Sequence, residues 1–117
     1  MTAVSPDPSV LLWDARHAAE KIARFTAGRT FGDYLDNDMM RAAVERQFEI
    51  IGEALGGLRR ANPTIAAQSP DLARIVAFRT GLVHGYASVD DRLVWDTVEG
   101  ELPALLTTLS RVLAETG

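Results

Sequence analysis

The sequence predicts an all-α fold, an antiparallel bundle of four to five helices joined by short loops. Three observations predict it. Apolar residues recur at three- and four-residue intervals through several long segments. Those segments open on Asp, Asn, Ser or Thr, the residues that cap helix N-termini. No stretch alternates apolar and polar residues as a half-buried strand would. At 117 residues and 47% hydrophobic, the chain is expected to be one domain, 1–117, with residues 1–7 as an N-terminal tail.

The first helix is expected to start at Asp7, with Pro8 where its missing N–H is harmless, and to bury Leu11, Ala15, Ala18, Ile22 and Phe25. Gly28 ends it. Thr30-Phe-Gly-Asp33 reads as a capping box opening a short turn. A second long helix begins near Asp36-Asn37 and runs to about Arg60, stopped by Asn62-Pro63, with Met40, Val44, Ile51, Ala54, Leu55 and Leu58 as its apolar stripe. Gly52, Gly56 and Gly57 lie inside it. Each costs about 1 kcal/mol relative to Ala, so either another backbone approaches closely there or the helix ends at Gly56-Gly57. Ser69-Pro70-Asp71 starts a third helix that reaches about His84. Ser88-Val-Asp-Asp91 reads as a further capping box. It opens a last helix carrying Val94, Trp95, Val98, Leu102, Leu105, Leu106, Leu109 and Leu113, which Pro103 should bend near Glu99.

Composition narrows the function classes. There is no cysteine, which removes disulfides and thiolate metal sites and fits a reducing, cytoplasmic setting. The N-terminus lacks the charged and apolar regions of a signal peptide, and no apolar run nears the ~20 residues that span a bilayer. Net charge is −4, against broad charge-driven nucleic-acid binding but compatible with a local cationic site. Only Lys21 among the 12 basic residues is lysine, leaving arginine, the residue suited to two-pronged contact with phosphate.

The third helix holds an anomaly. Leu72, Ile75, Val76, Leu82 and Val83 share one face, and Arg79 falls in its middle. A guanidinium there must snorkel, pair with an acid or reach a wet cleft. His84 lies about 140° from Arg79 on an ideal helix. Gly85 lets the helix end, so that His84 and Tyr86 can turn back toward Arg79; alternatively, two copies of the chain line one cleft together.

Arg79, four residues, His84, one residue and Tyr86 resemble the R-x4-H-x-Y motif of the HepT-like toxins of the HEPN superfamily. Arg46-Gln-Phe-Glu-Ile-Ile-Gly-Glu-Ala54 is similar to that family's second long helix, and Val89-Asp-Asp-Arg-Leu-Val-Trp95 with Leu102-Pro103 to its final one. The likeness runs from about Leu11 to Leu113. It implies a metal-independent ribonuclease, needing no cofactor, that acts as a homodimer or higher homo-oligomer on RNA such as tRNA or mRNA. It further implies that Arg79 holds the scissile phosphate and that His84 is the general acid or base. It implies too a minimal nucleotidyltransferase antitoxin, the second member of a toxin–antitoxin pair, that AMPylates Tyr86. No membrane association is implied.

Thr80 stands where that family usually has Asn, a longer side chain for orienting the site, and Ser69-Pro70 replaces a tryptophan before the third helix. Thr80 and Glu53 are the candidate supporting residues. Glu53 shares a face with Arg46, seven residues away, and is either an ion-pair partner or a support for Arg79 or His84. His17 belongs to a solvated face, and Trp13 and Trp95 to the core or a subunit interface. Asp36, Asn37 and Asp38 suit helix capping better than a metal loop. The alternative function is a non-catalytic helical module that holds a partner and is modified on Tyr86; a nucleotide-binding subunit is disfavoured because no Gly-rich phosphate loop is present.

Overall fold

The computed structural model describes residues 7–67 and 90–116. Among them are six helices and no strand: α1 (Pro8–Thr26), α2 (Phe31–Leu35), α3 (Asp38–Ala61), α4 (Pro63–Ala66), α5 (Asp91–Gly100) and α6 (Leu102–Thr116). The all-α bundle expected from the sequence is what forms. The N-terminal segment ahead of Asp7 and the third predicted helix, from Ser69 to His84, lie outside the described residues.

Five of these helices carry an N-cap from the residue that precedes them. Asp7 Oδ1 accepts from the Ser9 amide at 2.9 Å, and this bond, with a second from the Ser9 hydroxyl, holds the Asp7 carboxyl below its ordinary range. Thr30 and Asp33 complete both halves of the predicted capping box, at 3.1 and 2.9 Å. Asn37 caps α3 through the Met40 amide at 2.9 Å. Asn62 does more than stop α3: its side chain accepts from the Ile65 amide and starts α4 with Pro63 in the first turn. The cap of α5 is Asp90, which accepts from the Leu93 amide at 3.1 Å. The box expected on Ser88 is therefore not what opens this helix. Asp90, two residues later, accepts that bond at the end of the helix where the dipole favours an acidic side chain.

α1 and α3 run antiparallel, with Leu11 beside Gly57 at one end and Phe25 beside Ala43 at the other. α6 lies antiparallel along another side of α1, its Leu113 sharing a cleft with Val10 and Trp13. The stripe of α1 is as predicted at Ala15, Ala18 and Ile22 and differs at Leu11 and Phe25. Leu12, Ala15, Ala18, Ala19, Ile22 and Thr26 are buried, whereas Phe25 is exposed and Leu11 only half-buried. Thr26 tolerates burial because its hydroxyl donates to the Ile22 carbonyl at 2.8 Å. Phe48, Ile51, Leu55 and Leu58 of α3 meet Leu105 and Leu109 of α6 in the same core.

Neither expectation for the α3 glycines holds at Gly56 and Gly57. The helix continues through both to Ala61. A Cβ built on Gly56 would lie 3.5 Å from Arg60 Nη1, and one on Gly57 would lie 3.6 Å from a Leu11 methyl. These are side chains at ordinary contact distance and not a backbone, so a Cβ would fit at either position.

The last predicted helix is two helices and not one bent helix. Pro103 has no N–H for the Glu99 carbonyl, and its ring would clash there. The chain breaks at Glu101, whose amide still donates to the Thr97 carbonyl at 3.0 Å, while the Leu105 amide donates to the Glu101 carbonyl at 3.0 Å. Pro103 then occupies the first turn of α6, where no donor is needed. The break lets α5 cover α2 while α6 follows α1.

Candidate functional site

Arg79, Thr80, His84 and Tyr86 lie outside the described residues, so of the predicted site only Glu53 is placed. It sits on α3 with an exposed carboxylate and lines a cleft of 360 Å³ between α1 and α3, together with Leu11, Asp14, Ile50, Ala54, Gly57 and Arg60. The ion pair expected with Arg46 does not form. Arg46 Nη1 instead lies 3.3 Å from Glu49 Oε2, three residues along and so nearer on the helix surface than Glu53. Glu53 makes no ion pair among the described residues, and the cleft presents two carboxylates, Asp14 and Glu53, beside one guanidinium, Arg60.

The other weighed residues fall as follows. Asn37 and Asp38 serve the start of α3, with Asp38 paired to Arg41, and the described residues include no group of three or more metal-ligating side chains. No helix among the described residues is long and apolar enough to cross a membrane. Trp95 is in the core, with ring centroids 5.3 Å from Tyr34 and 6.5 Å from Phe31. Trp13 is not: it is 49% exposed, and its indole stacks on the His17 ring at 4.7 Å and 15°. The i,i+4 spacing of these two rings was the available signal.

A polar cluster that the sequence did not announce joins α2, α3 and α5. The Tyr34 side chain is fully buried and its hydroxyl has no hydrogen-bond partner among the described residues. Burial, then the fields of Glu45 and Asp91, push its ionisation upward. Glu45 is likewise shifted upward, by burial first and by Asp91 second, with Arg41 opposing. Arg41 anchors α2 through the Tyr34 and Leu35 carbonyls. A carboxyl shifted upward on folding binds protons more tightly in the native chain. Its contribution to stability is present at acid pH and is lost as pH rises from the ordinary glutamate range through its own titration. Partial exposure screens the effect, so Glu45→Gln is expected to raise the melting temperature by about 2 °C at pH 7.5 and hardly at all at pH 4. Paired thermal melts at the two pH values measure the difference; an equal change at both would dissociate Glu45 from the effect.

Similarity to known proteins covers this fold and the segment that carries the motif. The chain is 37% identical over 98 residues to the "Probable ribonuclease HepT" of Thermococcus cleftensis, spanning 80% of this chain and 84% of that protein. It is 31% identical over 101 residues to "Putative RNase MJ1380" of Methanocaldococcus jannaschii, spanning 85% of this chain and 90% of that one. No solved structure matches. The family described as Ribonuclease HepT-like matches residues 15–112, a span that runs from α1 into α6 and includes Arg79, His84 and Tyr86, and the chain belongs to that family.

Proposed function

We propose that the chain is an endoribonuclease that cuts RNA without a metal ion, and that it is the toxin of a toxin–antitoxin pair. The observation that carries this is the family match over residues 15–112, which spans an arginine, a histidine and a tyrosine at R-x4-H-x-Y spacing. The chemistry of those residue types supports it. Imidazole changes charge near neutral pH and so can both take and return a proton there. His84 acts as general base on a ribose 2′-hydroxyl, or as general acid on the leaving oxygen. The 2′-oxygen forms a bond to phosphorus, the bond from phosphorus to the 5′-oxygen breaks, and that oxygen takes up a proton. The products are a 2′,3′-cyclic phosphate and a free 5′-hydroxyl. Arg79 holds the phosphate in two-pronged fashion and stabilises the charge that builds in the transition state. Thr80, and Glu53 on α3, support these two groups.

The active form is a homodimer or higher homo-oligomer acting on cytoplasmic RNA, with the Arg79–His84 pair at or near the subunit boundary. A minimal nucleotidyltransferase antitoxin silences it by transferring AMP from ATP to the Tyr86 hydroxyl: the tyrosyl oxygen bonds to the α-phosphorus and loses its proton, pyrophosphate leaves, and phosphate charge and bulk are set close to Arg79.

The test is incubation of the purified chain with total RNA in EDTA, with analysis of product ends. Fragments bearing 2′,3′-cyclic phosphate, together with growth arrest on induced expression, are expected. Intact RNA and normal growth would replace this reading with a non-catalytic partner-binding module. Co-expression with the nucleotidyltransferase is expected to add mass in AMP increments, lost in Tyr86→Phe.

A further inference from the structure

We infer that the outward face of α1 is a binding track for single-stranded RNA, with Trp13 stacked on His17 as its base platform and Lys21 and Arg24 as its phosphate contacts. This rests on the ribonuclease reading for its biological sense, though not for its geometry. Trp13, His17, Lys21 and Phe25 follow one another at four-residue steps, each a rise of about 6 Å. They form one continuous stripe along the helix, in which Trp13, His17 and Phe25 are exposed and Lys21 is half-buried. The rings of Trp13 and His17 are nearly parallel and in stacking contact, so the indole is already held in a fixed orientation. Beside it opens a cleft of 420 Å³ lined by Ser9, Val10, Trp13 and Leu113, an apolar hollow of a size that takes a planar base. Single strands are recognised in this way, by unstacked bases laid on aromatic rings with cations tracking the backbone.

Charge favours RNA over a protein occupant. In a chain of net charge −4, α1 holds Arg16, Lys21 and Arg24 against Asp14 and Glu20, a local excess of one positive charge. Glu20 is engaged by Arg16 at 3.2 Å. By contrast, Arg41, Arg46, Arg92 and Arg111 each have an acidic partner on their own helix. Lys21 and Arg24 are in no ion pair among the described residues. Asp14, the nearest acid to the platform in sequence, lines the cleft toward α3. A face built to hold a protein helix would present a continuous apolar stripe, whereas this one sets Lys21 between the His17 and Phe25 rings, with Arg24 beside it.

The experiment is fluorescence anisotropy of a fluorescein-labelled 12-nucleotide 2′-O-methyl RNA of mixed sequence, titrated with the full chain at several salt concentrations. The probe lacks the 2′-hydroxyl nucleophile, so binding is read apart from cleavage. Trp13→Ala is expected to weaken binding about tenfold and Trp13→Phe to restore most of it. Lys21→Gln with Arg24→Gln is expected to reduce the slope of log affinity against log salt by about 1.4, from two lost phosphate contacts. Trp13 and Arg24 are exposed and Lys21 is half-buried outside the core, so the variants should keep the wild-type melting curve. If the wild type fails to bind the probe, or all variants superimpose on it, the track is overturned. A change in oligomeric mass with unchanged RNA affinity would also overturn it and make the face a protein interface. Ordered losses of binding in a chain that leaves unmodified RNA intact would sustain the track while removing the ribonuclease reading.

Discussion

His84→Ala is expected to lower the rate of RNA cleavage by about 10²- to 10⁴-fold, the usual worth of a positioned proton-transfer group. Arg79→Ala should cost about 10²- to 10³-fold, by analogy with the removal of one charge-stabilising donor. The two differ in how the loss divides. A lost proton-transfer group lowers the turnover number and leaves substrate affinity nearly intact. A lost phosphate contact weakens both ground-state and transition-state binding, so the Michaelis constant rises as well. If the two groups serve one step, as proposed, the double variant should be little worse than His84→Ala alone. Single-turnover cleavage of a labelled RNA by the three variants decides this. Losses that multiply across the pair would mean independent roles, and wild-type rates in either single variant would remove that residue from the chemistry.

The largest stability effect is expected from Phe48→Ala. The ring is fully buried on α3 and belongs to the core cluster. Removing a core phenyl group forfeits transfer energy and leaves a cavity, together about 3–5 kcal/mol. Against the roughly 5–15 kcal/mol that holds a domain of this size together, that is a large share. The melting temperature should fall by at least about 10 °C, and the urea midpoint should move with an unchanged slope. A fall of less than about 3 °C would mean that neighbouring side chains close over the gap.

Helix starts were legible in the sequence where the signal was a single short-range bond. Asp7, the Thr30–Asp33 box and Asn37 all cap as read. At α5 the box was read on Ser88, and the observed cap is Asp90, two residues later. Phase was harder than period. The apolar repeat of α1 is satisfied nearly as well by Leu11 and Phe25 as by Leu12 and Thr26, and only the neighbours settle which face turns inward. The same limit applied to Arg46, for which Glu49 and Glu53 both share the helix surface. Pro103 announced a disruption, yet whether a helix bends or restarts depends on what each half must cover. Of the candidate site, Arg79, His84 and Tyr86 stand in the sequence as residue types at a spacing and lie outside the described residues; the exposure of Trp13 was not legible, and its stacking on His17 was signalled only by the i,i+4 spacing.

The packing of α6 along α1 bears on the order of events during folding. α1 and α3 are separated by one short helix, and α5 and α6 by a single residue, so each of these pairs can meet through a small loop. The seam between α1 and α6 joins segments separated by roughly seven times as much chain as α1 and α3. Closure entropy grows only with the logarithm of that length, so the seam costs about 2 kcal/mol more to close than the α1–α3 contact. That difference is enough to make it the late step. Side chains such as Val112 and Leu113 would then add little to the speed of folding and act instead on the lifetime of the folded state.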